Sequence, residues 1–209
     1  MARAFAEIAF TPAVRAAQER NGSSAAYAKF LTPEAERGDR LGEAEAAFIS
    51  QRDGFYQATV SESGWPYVQF RGGPAGFLRV LDDKTVAYAD FRGNRQYVST
   101  GNLAGDDRIS LILMDYPNRR RLKLWGRARL VGIDDDPDLV ARLHVPGYRA
   151  RPERAVVIAV EAFDWNCPQH IPQRLTVEEL DPYLAPLRGQ IAKLIAENKL
   201  LKTRLGEAD

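Results

Sequence analysis

The 209-residue sequence contains a single cysteine, Cys167, and two histidines. One thiol rules out an intrachain disulfide, and this inventory cannot furnish a four-ligand zinc site of the usual kind. A reducing compartment fits such usage. Long apolar runs are also missing, since nothing approaches the roughly 18 consecutive apolar residues of a membrane span. The first segment, MARAFAEIAFTPAVRAAQER, has no apolar stretch of signal-peptide length. These features predict a cytoplasmic protein. Net charge is close to zero, with 29 Lys+Arg against 28 Asp+Glu giving +1. No whole-molecule field therefore draws in nucleic acid, an anionic membrane or an acidic substrate, and any such preference must be local. Lysine is scarce: 23 of the cations are arginine and only 6 are lysine. Guanidinium suits planar, bidentate recognition of phosphate and carboxylate, although a GC-rich coding bias produces the same skew.

What is present describes an ordinary globular chain, 45% hydrophobic and 27% charged, with room for one domain and some appendages. The first fifty residues read as helices. Thr11-Pro12 is an N-cap followed by proline at the first helical position, Ser23-Ser24 precedes AAYAKFL, and Glu43 to Arg52 is a third candidate. Strand signals then take over. FYQATVS (55–61) and WPYVQFR (65–71), GFLRVL (76–81) and TVAYADF (85–91), RISLILMDY (108–116) and RRLKLWGRARLVG (120–132) form three hairpins, with AVVIAVEAFDW (155–165) as a seventh strand after a helix near Asp136–Leu143. Short strands joined by tight turns predict a mainly β protein, an antiparallel sheet closing into a small barrel with flanking helices. The expected organisation is a helical N-terminal extension (1–42), a barrel domain (43–175) and a C-terminal amphipathic helix (176–209). In that last segment Leu184, Leu187, Ile191, Leu194, Asn198, Leu201 and Leu205 step by threes and fours as an a/d heptad seam. Two readings stand here: pairing with a partner helix, or packing on the protein's own barrel.

Four segments are candidates for chemistry. The loop 91–102 (FRGNRQYVSTGN) combines glycine and asparagine with Arg95 and Ser99 at helical spacing, so a helix starting there would present free N–H groups, a guanidinium and a hydroxyl to a phosphate. The segment 71–76 (RGGPAG) lets a flat ligand approach the backbone, or only makes a wide turn. Residues 118–129 carry five arginines and one lysine; as a strand they place Arg119, Arg121, Lys123, Trp125 and Arg127 on one side, a stripe suited to nucleic acid, an anionic cofactor or plain solvation. Cys167-Pro168-Gln169-His170 lacks the acidic orienter that a cysteine nucleophile would need.

Taken together, the series from GWPYVQFRGGPAGF through RGNRQYVSTGNL, RISLILMDYPNRRRLKLWGRARLV and FDWNCPQHIPQR resembles the pyridoxamine 5′-phosphate oxidase-like family of FMN-binding split barrels, and more closely its oxidase-related flavoproteins, over about residues 40–175. The resemblance implies a split β-barrel of six to eight antiparallel strands, homodimeric, with FMN in clefts between subunits. By position it implies that Gln69, Phe70 and Arg71 line the isoalloxazine edge, that Tyr88, Ala89 and Asp90 flank the ribityl chain, and that Asn94, Arg95, Gln96 and Ser99 hold the phosphate. It further implies that Arg121 and Lys123 reach the flavin from the partner barrel, and that Trp165, Gln169 and Arg174 close the cleft. Gln96 stands where many true oxidases have lysine, and the oxidases' C-terminal arginine and histidine pattern is not recognisable. These departures disfavour pyridoxamine phosphate as substrate, and the implied function is an FMN-dependent oxidoreductase whose small-molecule substrate the resemblance does not name. NAD(P)H is a candidate donor, and neither nucleic acid nor membrane is implied as a partner. The alternatives are a flavin-, haem- or deazaflavin-binding module without turnover, and a small regulator whose basic strand contacts nucleic acid.

Overall fold

The computed structural model describes residues 1–165 and 168–206. Cys167, and with it the cysteine–histidine pairing weighed above, lies outside them. Three short helices open the chain: α1 (Arg3–Ala9), α2 (Pro12–Arg20) and α3 (Ser24–Ala28), the last tightening into a 3-10 turn at Lys29–Leu31. Thr11 caps α2 as its sequence predicts, its hydroxyl accepting from the Val14 N–H, whereas Ser23 makes no capping bond and the helix behind it is only five residues long. Next come α4 (Glu43–Ser50) and seven strands, β1 (Gly54–Val60), β2 (Pro66–Gly72), β3 (Arg79–Asp82), β4 (Thr85–Phe91), β5 (Arg108–Asp115), β6 (Arg120–Gly132) and β7 (Pro152–Trp165). Helix α5 (Val98–Gly105) follows β4, α6 (Pro137–Leu143) lies between β6 and β7, and α7 (Val177–Leu205) ends the described chain. Of the strands, β3 differs most from expectation. It starts at Arg79 rather than Gly76, because Phe77 and Leu78 leave the ladder to plug the barrel core.

All seven strands form one antiparallel sheet in the order β2-β1-β5-β6-β7-β4-β3. Alternation along the strands sorts the side chains: Phe55, Leu111, Leu113, Leu122, Leu124 and Ile158 point inward and are essentially inaccessible. Each such side chain stabilises the fold by roughly 1.5–3 kcal/mol relative to exposure. Phe48 and Ile49 of α4 join the same cluster and cover one end of it. On the opposite surface of β4 and β7, Ala87, Ala89, Ala155 and Val157 pack under Leu139, Val140 and Leu143 of α6. Strand β4 is consequently buried on both faces, which explains its unbroken apolar run TVAYA.

The sheet curls until β2, at one edge, faces β4, next to the other. No backbone ladder joins these two strands; the guanidinium of Arg71 on β2 meets the carboxylate of Asp90 on β4 at 2.7 Å. The barrel is therefore split, and its split is bridged by side chains. At the far side, Gly126 of β6 sits at an irregularity in the β6–β7 register, so close to Ala159 that a Cβ there would collide with the Ala159 carbonyl oxygen.

Candidate functional site

The split opens into a polar cleft between β2, β4 and the β4–α5 loop. Period-two alternation along β2 aims Tyr67, Gln69 and Arg71 at it, while Val68 and Phe70 point the other way into solvent. Across from them lie Asp90 and the loop residues Asn94, Arg95, Gln96 and Ser99. The loop is held in an uncommon shape. Arg95 and Tyr97 both have left-handed backbone angles, φ 63° and 53°, and the Asn94 side chain folds back to accept from the Gln96 N–H at 3.1 Å. Non-glycine residues adopt such angles only where the surroundings over-determine them, and they concentrate at functional sites.

This shape delivers the chain into α5 without a side-chain cap: Tyr97, at the N-cap, donates no acceptor to the first turn. The opening N–H groups of α5 therefore face the cleft with a positive dipole end. Ser99 adds an orphaned group. Its Oγ is buried and has no hydrogen-bond partner, in a residue only 2% exposed. A buried hydroxyl without a partner costs free energy, and a ligand oxygen in the cleft removes that cost. The sequence reading put Arg95 and Ser99 on one helical face; α5 instead starts at Val98, so Arg95 belongs to the left-handed loop and reaches the same cleft from outside the helix.

Charges in the cleft partition unevenly. Asp90 is engaged by Arg71 at 2.7 Å and by Arg154 at 3.5 Å, yet its burial outweighs both arginines and holds its carboxyl above the usual carboxylate range. Glu153 is approached by Arg154 and Arg92. Arg95 forms no ion pair among the described residues and is fully solvent-facing; its pKa is raised by its contact with the Tyr97 phenol. The same cleft is thus lined by a guanidinium with no ion pair among the described residues, an unpartnered hydroxyl and an uncapped helix start, a donor set that fits a phosphate dianion. Within a single chain it encloses only about 70 Å³, far below the roughly 300–1,000 Å³ of a typical small-molecule pocket.

The other predicted site residues are elsewhere in the single chain. Tyr88 points into the barrel, where its hydroxyl donates to the Gln57 side-chain oxygen and burial pushes the phenol pKa well up. Ala89 is covered by α6. Phe70 stands on the outer face of the sheet, edge-on to Tyr56 at 5.5 Å. Arg121 and Lys123 are on the outer face of β6, with Lys123 paired to Asp164 at 2.8 Å. Trp165 donates to Glu45 at 2.7 Å and packs against Phe48 and Arg120. Gln169 is exposed, and Arg174 lies 4.9 Å over the Tyr116 ring. The basic stripe is compensated in part: Lys123 pairs with Asp164, and Arg127 meets both Asp107 and Glu161 at 2.7 Å. Seven lining residues were not assigned to the site from sequence, Phe91, Gly93, Val98 and Thr100 of the loop among them. Tyr67 shares the period-two face of Gln69 and Arg71 and was accessible from that pattern, Tyr97 lies inside the quoted loop, and Glu153 reaches the cleft only because β7 pairs with β4.

The donor cluster thus sits at the seam of an antiparallel split barrel. Residues 41–165, more than half of the chain, match the pyridoxamine 5′-phosphate oxidase family model, and the chain belongs to that family. No curated protein sequence matches it. Similar solved structures include HupZ of Group A Streptococcus (17% identity, 65% of this chain and 99% of that one, TM-score 0.46), and an FMN-binding protein of Syntrophomonas wolfei (10%, 60% and 84%, TM-score 0.46). A third is a Clostridium acetobutylicum protein related to general stress protein 26 (15%, 64% and 92%, TM-score 0.42). Among the described residues no helix is long and apolar enough to cross a membrane, and no cluster of metal-ligating side chains occurs.

Proposed function

We propose that the chain binds FMN at a homodimer interface and acts as an oxidoreductase, passing electrons between a small-molecule donor and an acceptor. The observation that carries this reading is the convergence of the buried, unpartnered Ser99 hydroxyl with Arg95 and the uncapped start of α5. That set suits the flavin phosphate. Arg95 and Ser99 bind it, the α5 N–H groups orient it, and the Arg71–Asp90 pair fixes the β2 wall against which the ring system would lie. When bound, FMN supplies two-electron transfer chemistry, and the protein contributes positioning and electrostatics. The smallness of the cleft in one chain calls for a second wall. The outer face of β1 and β2 offers an apolar surface for a partner chain, with Val68 and Phe70 each more than half exposed and Tyr56 beside Phe70. Arg121 and Lys123 continue that face across β6.

Titrating purified protein with FMN while following flavin absorbance and fluorescence tests the binding step. Saturable 1:1 binding per chain is expected, and protein that leaves the FMN spectrum unchanged rejects the proposal. Bleaching of the bound flavin by NADH or NADPH under argon, with recovery of colour in air, is the expected sign of turnover. A flavin that binds but stays oxidised with every reductant identifies a carrier instead.

A further inference from the structure

Helix α7 is the longest helix of the structure, 29 residues or roughly 43 Å at 1.5 Å per residue, and none of its residues is buried. Its start is set by a capping box, in which Thr176 accepts from the Glu179 N–H and Glu179 accepts from the Thr176 N–H. Its end is set by Gly206 in the left-handed conformation, φ 73°. Starting the helix at Val177 lengthens the seam read from sequence by a heptad in the same phase. Val177, Leu184, Ile191, Asn198 and Leu205 then occupy a, and Leu180, Leu187, Leu194 and Leu201 occupy d. The packing of this helix onto its own barrel, one of the two alternatives from sequence, does not occur: Leu187, Ile191, Leu194 and Leu201 are each more than half exposed.

We propose that α7 pairs with α7 of a second copy of this chain as a parallel, two-stranded coiled coil. Three observations select that occupant. Leucine fills every d position while the β-branched Val177 and Ile191 sit at a, the combination that favours two parallel strands. Asn198, alone among the a residues in being polar, meets its own copy only in a parallel, in-register pair, where the two amides hydrogen-bond to each other. An antiparallel pair sets it against a leucine and buries an unpartnered amide. The flanking charges agree: Glu197 at g faces Lys202 at e of the partner helix. Pro182 and Pro186, which interrupt the backbone ladder, fall at f and c, so the carbonyls they leave unbonded lie on the solvent side. Because a parallel pair has a twofold axis along its length, it closes at two chains.

Cysteine cross-linking of the full-length protein in a Cys167→Ser background tests the pairing without reference to flavin. In a parallel coil two copies of Leu201→Cys lie within disulfide range, whereas Ala196→Cys, at the outer f position, does not. Leu201→Cys is therefore expected to oxidise to a covalent dimer at least about tenfold faster than Ala196→Cys. Equal rates overturn the proposal, whether the helix is solitary, antiparallel or docked on other protein. A second variant guards against a folding artefact. Asn198→Leu, which removes the register-setting amide from an already apolar seam, is expected to raise the melting temperature of the 222-nm signal and to broaden the mass distribution in light scattering. Unchanged melting and mass overturn it.

Discussion

Ser99 carries its hydroxyl into the cleft with nothing to bond, while Arg95 stays in solvent. Truncation of the two should differ in stability and agree in affinity. Ser99→Ala removes a buried group without a partner, so the free protein should gain about 1 kcal/mol in urea unfolding, and FMN affinity should fall because one charge-assisted bond is lost. Arg95→Ala should leave unfolding unchanged and weaken FMN roughly tenfold or more by fluorescence titration. Asp90 carries a pH signature. Because burial holds its folded pKa above the unfolded value, the folded state binds the extra proton between the two, and the contribution of Asp90 to stability declines as pH rises through that window. Asp90→Asn lacks this decline. Between pH 4 and pH 7 the stability difference should move in favour of the variant, and movement the other way would mean that Arg71 and Arg154 outweigh burial. The loop 91–102 is legible in the sequence because its glycines and polar residues interrupt the strand alternation. The orphaning of Ser99 is not, since it depends on the left-handed angles at Arg95 and Tyr97.

Strands fared better than short helices for a physical reason. Alternation of apolar and polar residues is imposed by the core itself and is visible in β1, β2, β5 and β6. In contrast, α1 and α3 are too short to show a period, and α1 is held mainly by Phe5 stacking on Trp125 at 4.2 Å. Where β3 begins was also hidden, because Phe77 and Leu78 look like strand residues and serve as plugs. Gly126 is the element-scale feature that composition alone does not reveal. Its missing side chain lets β7 approach β6 at the bulge. Gly126→Ala should therefore destabilise the barrel by about 1–3 kcal/mol, the cost of overpacking. A shift of the urea midpoint at constant slope would register it, and an unshifted midpoint would show that β7 can give way.

For the whole molecule, sequence indicated a split barrel and a heptad tail, while the arrangement of the two open edges needed coordinates. The proposed pairing through the outer face of β1 and β2 makes a direct forecast. Val68→Glu puts an uncompensated charge where an apolar partner would sit, a change worth about 3–5 kcal/mol when such a charge is buried. The variant should keep its far-ultraviolet spectrum, bind FMN more weakly and sediment with a smaller barrel contact; full FMN affinity in this variant would place the second wall elsewhere. The seam between β2 and β4 has a mechanical meaning as well. A hoop closed by the Arg71–Asp90 pair instead of a backbone ladder can open locally without breaking the sheet, so amide exchange should be fastest along β2. A ligand gripping both β2 and the start of α5 would act as a clasp, slowing exchange at one edge by holding the other.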